Sequence, residues 1–105
     1  MEDEISFCKQ EKDKIIRDAV QMYGYVPQIM QTFEEMGELI QAINKAWKSD
    51  DVENKEYKDN LVLELAQVIL MLNQITYIFG ISHEEFSKQY KIELYKLKER
   101  LAKRG

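Results

Sequence analysis

Two stretches of the sequence combine carboxylates with apolar neighbours at helical spacing. Residues 33–40 read Phe-Glu-Glu-Met-Gly-Glu-Leu-Ile, with three carboxylates within five residues. Residues 63–68 read Leu-Glu-Leu-Ala-Gln-Val, with one carboxylate in an almost wholly apolar run. Glu35 and Glu38 are three residues apart, and so are Glu64 and Gln67, which places each pair about 60° apart on a helix. On facing antiparallel helices, the two pairs would bring four oxygen-bearing side chains to one point.

The chemistry that suits such a point is binding of a divalent cation. Hard cations such as Mg²⁺ and Mn²⁺ prefer carboxylate and carbonyl oxygens, and a cation would offset the repulsion between neighbouring carboxylates. Taken alone, Glu34, Glu35 and Glu38 also fit a solvated acidic helix face. Glu64 fits a structural salt bridge to a lysine, because a carboxylate in an apolar helix is rarely buried without a partner.

The elements that must position these residues are four predicted helices, and no strand pattern competes with them. They run from about Asp3 to Tyr23, from the first turn around Pro27 to about Lys48, from about Glu56 to Phe79, and from Ser82 to about Lys103. Gly24 suits a helix C-terminus, and Ser82 with Glu85 forms a capping box. Because the loops are short, apart from Ser49–Lys55, we expect a four-helix antiparallel bundle.

The second and third predicted helices have different apolar patterns. The second has a heptad seam that must pack against another helix; this Ile29–Trp47 seam comprises Ile29, Phe33, Met36, Ile40, Ile43 and Trp47. The third is apolar almost all round, which is typical of a central, buried helix. Its one polar strip comprises Asn60, Glu64, Gln67 and Gln74, with Met71 interposed. Such a helix needs more cover than three partners provide, so we expect an oligomer.

Length and composition define a single helical domain over residues 1–105 and exclude several classes of protein. A net charge of −4 argues against a nucleic-acid binder. The single Cys8 excludes an internal disulfide and a cysteine-based zinc site, and it fits a reducing cytoplasm. The acidic N-terminus is unlike a signal peptide, and the apolar run Val68–Leu72 is too short to span a bilayer, so we expect no membrane partner.

The two motifs together resemble the MazG-like nucleotide pyrophosphohydrolase family. Its signature is Glu-Glu-x-x-Glu on one helix and Glu-x-x-Asp on the next. The first half is complete at residues 34–38, and it continues into the family-like segment Met-Gly-Glu-Leu-Ile-Gln-Ala-Ile at residues 36–43. The second matches in the frame Glu-Leu-Ala-x-Val-Ile-Leu from Glu64, with Gln67 at the position of the Asp. The likeness covers roughly residues 16–104, including Lys-Leu-Lys-Glu-Arg at 96–100.

The resemblance implies an all-α NTP pyrophosphatase fold and Mg²⁺-dependent hydrolysis of a nucleoside triphosphate, with Mn²⁺ as an alternative metal. The products would be the monophosphate and pyrophosphate. Carried over by position, Glu35, Glu38, Glu64 and Gln67 would be metal ligands, and Glu34 a catalytic or outer carboxylate. Proteins of this family form homodimers or homotetramers.

Gln67 is the departure from the pattern, because an amide can ligate a metal through oxygen but carries no charge. It leaves open an enzyme with a looser metal site, a site shifted to another carboxylate, or a weakened or inactive oligomer that binds nucleotide or a protein partner. The candidates for contacting the substrate are Lys45, Lys96 and Arg100 for the phosphates and Gln31 and Gln74 for the base. The lysines also fit ordinary exposed helix faces.

Overall fold

The structure is a computed structural model that describes residues 5–48 and 54–104. It contains helices α1 (Lys9–Tyr23), α2 (Tyr25–Lys48), α3 (Lys55–Ile78) and α4 (His83–Arg104). No strand occurs in these ranges, which confirms the all-α prediction. The expected helix start at Asp3 and most of the loop expected over Ser49–Lys55 lie outside the described residues.

The helix boundaries follow the capping residues of the sequence. Gly24 ends α1 with φ 93°, which favours glycine, and its N–H donates to the Val20 carbonyl at 2.8 Å. At the start of α4, Ser82 Oγ accepts from the Glu85 N–H at 3.1 Å, and Glu85 Oε1 accepts from the Ser82 N–H at 3.2 Å. The predicted C-terminal glycine and the predicted capping box are therefore both confirmed.

Two caps were not anticipated from the sequence. Asn54 caps α3, because its Oδ1 accepts from the N–H groups of Glu56 at 2.9 Å and Tyr57 at 3.3 Å. Cys8 occupies the same position before α1, where Sγ accepts from the Glu11 N–H at 3.4 Å. The first helix therefore begins at Lys9, after Ile5–Cys8.

The principal helix contact is between α2 and α3, and α1 packs against both. The small apolar core comprises Ile16 and Val20 of α1, Ala42 of α2, and Val68 and Met71 of α3. The polar strip of α3 faces α2, with Gln74 5% exposed and Glu64 9% exposed. By length and composition alone, α3 could also cross a membrane. Core helices of soluble proteins meet the same two criteria.

The Ile29–Trp47 seam of α2 is not the face that packs against α3. Phe33, Ile40 and Trp47 are 59%, 61% and 65% exposed. The covered face of α2 contains Gln28, Thr32 and Ala42 and lies about 100° round the helix from the seam. The expectation that the seam packs against another helix is therefore not met within this chain.

Helix α4 packs against none of the other three helices in the described ranges. None of its residues is buried. Among the described residues, the fourth helix of the expected bundle thus has no packing partner, and α1, α2 and α3 form the packed unit.

Candidate metal centre

Three carboxylates converge where the middle of α2 faces the first half of α3. One oxygen from each of Glu35, Glu38 and Glu64 lies within 4.8 Å of the others. We call these three residues the carboxylate cluster. Glu38 is exposed and Glu64 is nearly buried, so the cluster opens to solvent on the α2 side. The two carboxylate motifs of the sequence therefore meet across one helix pair.

Gln67 completes the group with an amide atom in contact with two of the carboxylates. With its nitrogen towards the cluster, Gln67 Nε2 donates to Glu35 Oε2 at 3.0 Å and to Glu64 Oε2 at 3.3 Å. Rotating the amide by 180° puts Oε1 at the same place, where it would complete a set of four oxygen ligands. Without a cation the donor orientation is favoured, because an oxygen there would face only acceptors.

The carboxylate cluster has no cationic partner among the described residues. The ion pairs there involve Lys9, Lys14, Arg17, Lys55 and Lys96, and none of them reaches Glu35, Glu38 or Glu64. The alternative of a structural salt bridge between Glu64 and a lysine is therefore not what the described chain forms. The groups that contact the cluster carboxylates are instead the neutral side-chain amides of Gln31 and Gln67.

Electrostatics in the cluster act most strongly on Glu38. The negative charges of Glu35 and then Glu64 raise the pKa of the Glu38 carboxyl above its ordinary value, and partial desolvation and hydrogen bonding to the same two groups add to the shift. A bound cation would reverse this effect, because it favours the ionised form of every ligand.

Gln31 holds Glu35 from the solvent side. Its Nε2 donates to Glu35 Oε1 at 2.9 Å, while Gln67 contacts the other oxygen of the same carboxylate. Glu35 is therefore fixed at both oxygens. Gln31, expected to contact the substrate, is placed in this structure so that it orients a cluster residue.

The polar contacts continue along the α2–α3 interface beyond the cluster. Gln28 Nε2 donates to Gln74 Oε1 at 2.5 Å, and Gln74 Nε2 donates to Met71 Sδ at 3.6 Å. From Glu35 to Gln28 the chain steps back seven residues, and from Gln67 to Gln74 it steps forward seven, as antiparallel pairing requires. The amide of Gln74, a candidate for reading a base, is thus occupied inside the interface.

Gln28 was not singled out from the sequence, although a signal was present. It lies one heptad before Glu35, so it shares the face of α2 that bears the cluster. A polar strip on α3 needs polar partners on α2. Stepping back one heptad from Glu35 along α2 would have identified Gln28 as such a partner.

The remaining candidates are not gathered at the cluster. Glu34 is exposed and is not among the three convergent carboxylates. Lys45 is exposed on the same face of α2 as Glu38, about 10 Å further along the axis. Lys96 and Arg100 lie on α4, which does not contact α2 or α3. Within one chain these basic side chains do not belong to the carboxylate group.

The donor set fits a small divalent cation. Octahedral Mg²⁺ takes oxygen ligands at about 2.0–2.1 Å, so adjacent ligands lie about 3 Å apart. The separations from the Gln67 amide to Glu35 and Glu64 are 3.0 and 3.3 Å. Three carboxylates and an amide oxygen, without sulfur or imidazole, are typical of Mg²⁺ or Mn²⁺ rather than Zn²⁺.

Comparison with known proteins finds no family model, curated protein or solved structure that matches this chain. The resemblance to the MazG-like family, which depends on residues 34–38 and 64–70, therefore stays a prediction.

Proposed function

We propose that this protein is a metal-dependent nucleoside triphosphate pyrophosphohydrolase. The observation that supports it is the convergence of Glu35, Glu38, Glu64 and Gln67 from two helices, as the paired motif requires. The reaction would consume an NTP or dNTP and water and yield the monophosphate and pyrophosphate. We place it in the cytoplasm, acting on free nucleotides rather than on nucleic acid or a membrane.

In this proposal the cluster and Gln67 hold Mg²⁺ or Mn²⁺. A cation there supplies positive charge against the phosphates and lowers the pKa of water. Gln31 keeps Glu35 oriented towards the cluster through its hydrogen bond. Glu34, exposed one residue before Glu35, is the carboxylate that would orient the attacking water or accept its proton.

Product analysis tests the proposal directly. Purified protein is incubated with a panel of canonical and modified NTPs and dNTPs and with Mg²⁺ or Mn²⁺, and pyrophosphate, orthophosphate and monophosphate are measured. Equal release of pyrophosphate and monophosphate is expected. Release of orthophosphate with a nucleoside diphosphate would contradict the proposed bond cleavage.

Glu64→Gln is the sharpest variant, because it keeps the shape of the side chain and removes one ligand charge. We expect turnover to fall about 100-fold or more, the scale on which single charge-stabilising groups act. Glu99→Gln on the exposed surface of α4 is the matched control and should retain turnover. Equal turnover in the two variants would show that Glu64 is not part of the active site.

A second candidate function is favoured by the hydrogen bonds of Gln67. With the Gln67 nitrogen turned towards the cluster, the amide donates to both Glu35 and Glu64, so this orientation stabilises the metal-free cluster and metal binding must break the two contacts. That geometry supports a weakened or inactive member that binds nucleotide or a protein partner without hydrolysis. Nucleotide binding measured by calorimetry, together with no product across the whole panel, would favour this second function.

A further inference from the structure

Helix α4 has an apolar stripe that no other residue in the described ranges covers. The Phe86–Leu101 stripe comprises Phe86, Tyr90, Leu94, Leu97 and Leu101, and its members are between 44% and 63% exposed. With Tyr95, its second half lines a shallow groove of about 500 Å³. A solvated helix has no reason to repeat large apolar side chains on one face, so this stripe has the pattern of a helix-packing surface.

The amount of exposed surface indicates a missing partner of substantial size. The chain exposes 9137 Å², whereas a compact monomer of 12.5 kDa exposes about 6,200 Å². The radius of gyration is 17.1 Å, against about 13 Å for a compact chain of this length. The excess, on the order of 3,000 Å² per chain, exceeds the ~800 Å² per partner of a standard interface.

The same chain presents a second uncovered surface of matching form. The Ile29–Trp47 seam of α2 is mostly exposed, and Phe33, Met36, Ile40, Ile43 and Trp47 are each more than 40% exposed. The seam extends over about 27 Å and the Phe86–Leu101 stripe over about 22 Å of helix axis. Both are narrow heptad-like strips, which pack by inserting side chains of one helix between those of the other.

Charge favours pairing these two surfaces over pairing α4 with a second α4. Helix α4 contains seven Lys and Arg and four Glu, a formal charge of +3, whereas α2 contains three Glu and two Lys, a formal charge of −1. Two α4 helices would bring like net charges together, whereas α4 against α2 of another copy brings opposite net charges together.

The distribution of charge along the two helices also selects a direction. Helix α4 is acidic in its first turn, at Glu84 and Glu85, and basic in its second half. Helix α2 is basic in its last turn, at Lys45 and Lys48, and acidic in its middle. Antiparallel pairing sets each acidic region opposite a basic one.

We propose that the Phe86–Leu101 stripe of one copy packs antiparallel on the Ile29–Trp47 seam of a second copy, and reciprocally, to form a symmetric dimer. Such an exchange is closed, so it ends at two chains and covers both surfaces in each. It also places Lys96 and Arg100 of one copy level with residues 34–38 of the other along the helix axis. This last consequence rests on the proposed function, whereas the dimer does not.

The first experiment measures molar mass by light scattering on a size-exclusion column. The wild-type chain is expected at twice 12.5 kDa, and Leu94→Glu is expected at the monomer mass. Ile92→Glu is the matched control, since it places the same charge on the opposite face of α4 and should leave the dimer intact. Wild-type protein that is monomeric, or Leu94→Glu protein that stays dimeric, would overturn the proposal.

The second experiment identifies the partner surface by disulfide formation between chains. The background is Cys8→Ser, which removes the one native cysteine and supplies a good helix cap. Single-cysteine chains bearing Leu101→Cys and Phe33→Cys are mixed, allowed to exchange subunits and oxidised. A disulfide between the two chains is expected, with little when Trp47→Cys replaces Phe33→Cys.

Other outcomes of this experiment contradict the proposal in distinct ways. A disulfide of Leu101→Cys with Trp47→Cys instead would show parallel pairing. Efficient self-crosslinking of Leu94→Cys alone would show that α4 packs on a second α4. Retention of the dimer with no disulfide in any mixture would show that another surface forms it. Because molar mass and disulfide formation test the dimer without measuring activity, a result against the dimer is distinguishable from a result against the proposed catalytic function.

Discussion

Gln67 is the one member of the candidate metal centre whose side chain carries no charge. With its nitrogen inwards, the amide donates to Glu35 and Glu64, which reduces the cost of holding two carboxylates near Glu38. The same amide must turn its oxygen inwards to ligate a cation. If the proposed site binds a cation, this single residue sets the balance between the stability of the metal-free protein and its affinity for the cation.

Gln67→Asp should shift that balance towards the metal. The added carboxylate is expected to tighten Mg²⁺ binding by about 10- to 100-fold and to raise turnover, and to lower the free energy of unfolding of the metal-free protein by about 1–3 kcal/mol, since two donated hydrogen bonds are lost. Calorimetric titration and denaturant unfolding measure the two effects. Gln10→Asp, an exposed change of equal charge on α1, is the control, and unchanged metal affinity in Gln67→Asp would exclude Gln67 as a ligand.

The raised pKa of Glu38 predicts a pH dependence of stability in the absence of metal. Because the folded state binds the Glu38 proton more tightly than the unfolded state, this contribution is complete below pH 4.5, the ordinary value, and is lost as the pH rises through the raised folded value. In the presence of a chelator, the melting temperature should therefore fall more in the wild-type protein than in Glu38→Gln as the pH rises from below 4.5 through the raised pKa of Glu38. Identical pH profiles in the two proteins would contradict the coupling.

At the scale of the elements, two glycines with different surroundings should respond in opposite ways to alanine. Gly24 has φ 93° and ψ 159° at the end of α1, where a side chain is strained, and an added Cβ would lie 3.5 Å from Pro27 Cδ. Gly24→Ala should destabilise the fold by about 1–3 kcal/mol. Gly37 lies inside α2 with nothing near its missing Cβ, so Gly37→Ala should stabilise it by about 0.5–1 kcal/mol.

Denaturant unfolding of Gly24→Ala, Gly37→Ala and the wild type measures the free energy of unfolding and tests both predictions. Each serves as the control for the other, since the chemical change is the same. Destabilisation by Gly37→Ala would indicate that a second chain or a ligand approaches α2 closely at this position, which no group within the chain does.

The pairing of α2 with α3 illustrates how polar side chains choose a helix face. The seam of α2 offers more apolar surface than the face that α3 covers. Pairing through the seam would bury Gln67 and Gln74 without partners, at about 1–3 kcal/mol for each unsatisfied group. The face of α2 that packs against α3 instead provides Gln28 as a hydrogen-bond partner for Gln74 and Glu35 as a partner for Gln67.

At the scale of the whole molecule, the candidate metal centre and the proposed dimer surface are separable. All four candidate ligands come from α2 and α3 of one chain. The Leu94→Glu protein should therefore keep the metal-induced rise in melting temperature, with about 2.7 kcal/mol of stabilisation at 100 times the Kd. Differential scanning fluorimetry of wild type and variant with Mg²⁺ and with chelator measures it. Loss of the rise in the variant would show that metal binding needs the second chain.

The sequence by itself determined the four helices and the pairing of the two carboxylate motifs. Helical periodicity, Gly24 and the Ser82–Glu85 capping box are local properties, so they can be read without knowing the fold. The polar strip around Glu64 was equally informative, because polar groups in an apolar helix require partners. The family resemblance and the catalytic activity were also drawn from the sequence and stay predictions.

Only the tertiary structure decided which face of α2 meets α3, and that α4 stands apart from the rest of the chain. These choices depend on contacts between residues far apart in sequence, and several faces of α2, α3 and α4 are apolar enough to compete. Helical periodicity shows that a face is apolar but cannot say which other face will cover it. The orientation of the Gln67 amide is decided in the same way, by whether carboxylates or a cation lie opposite it.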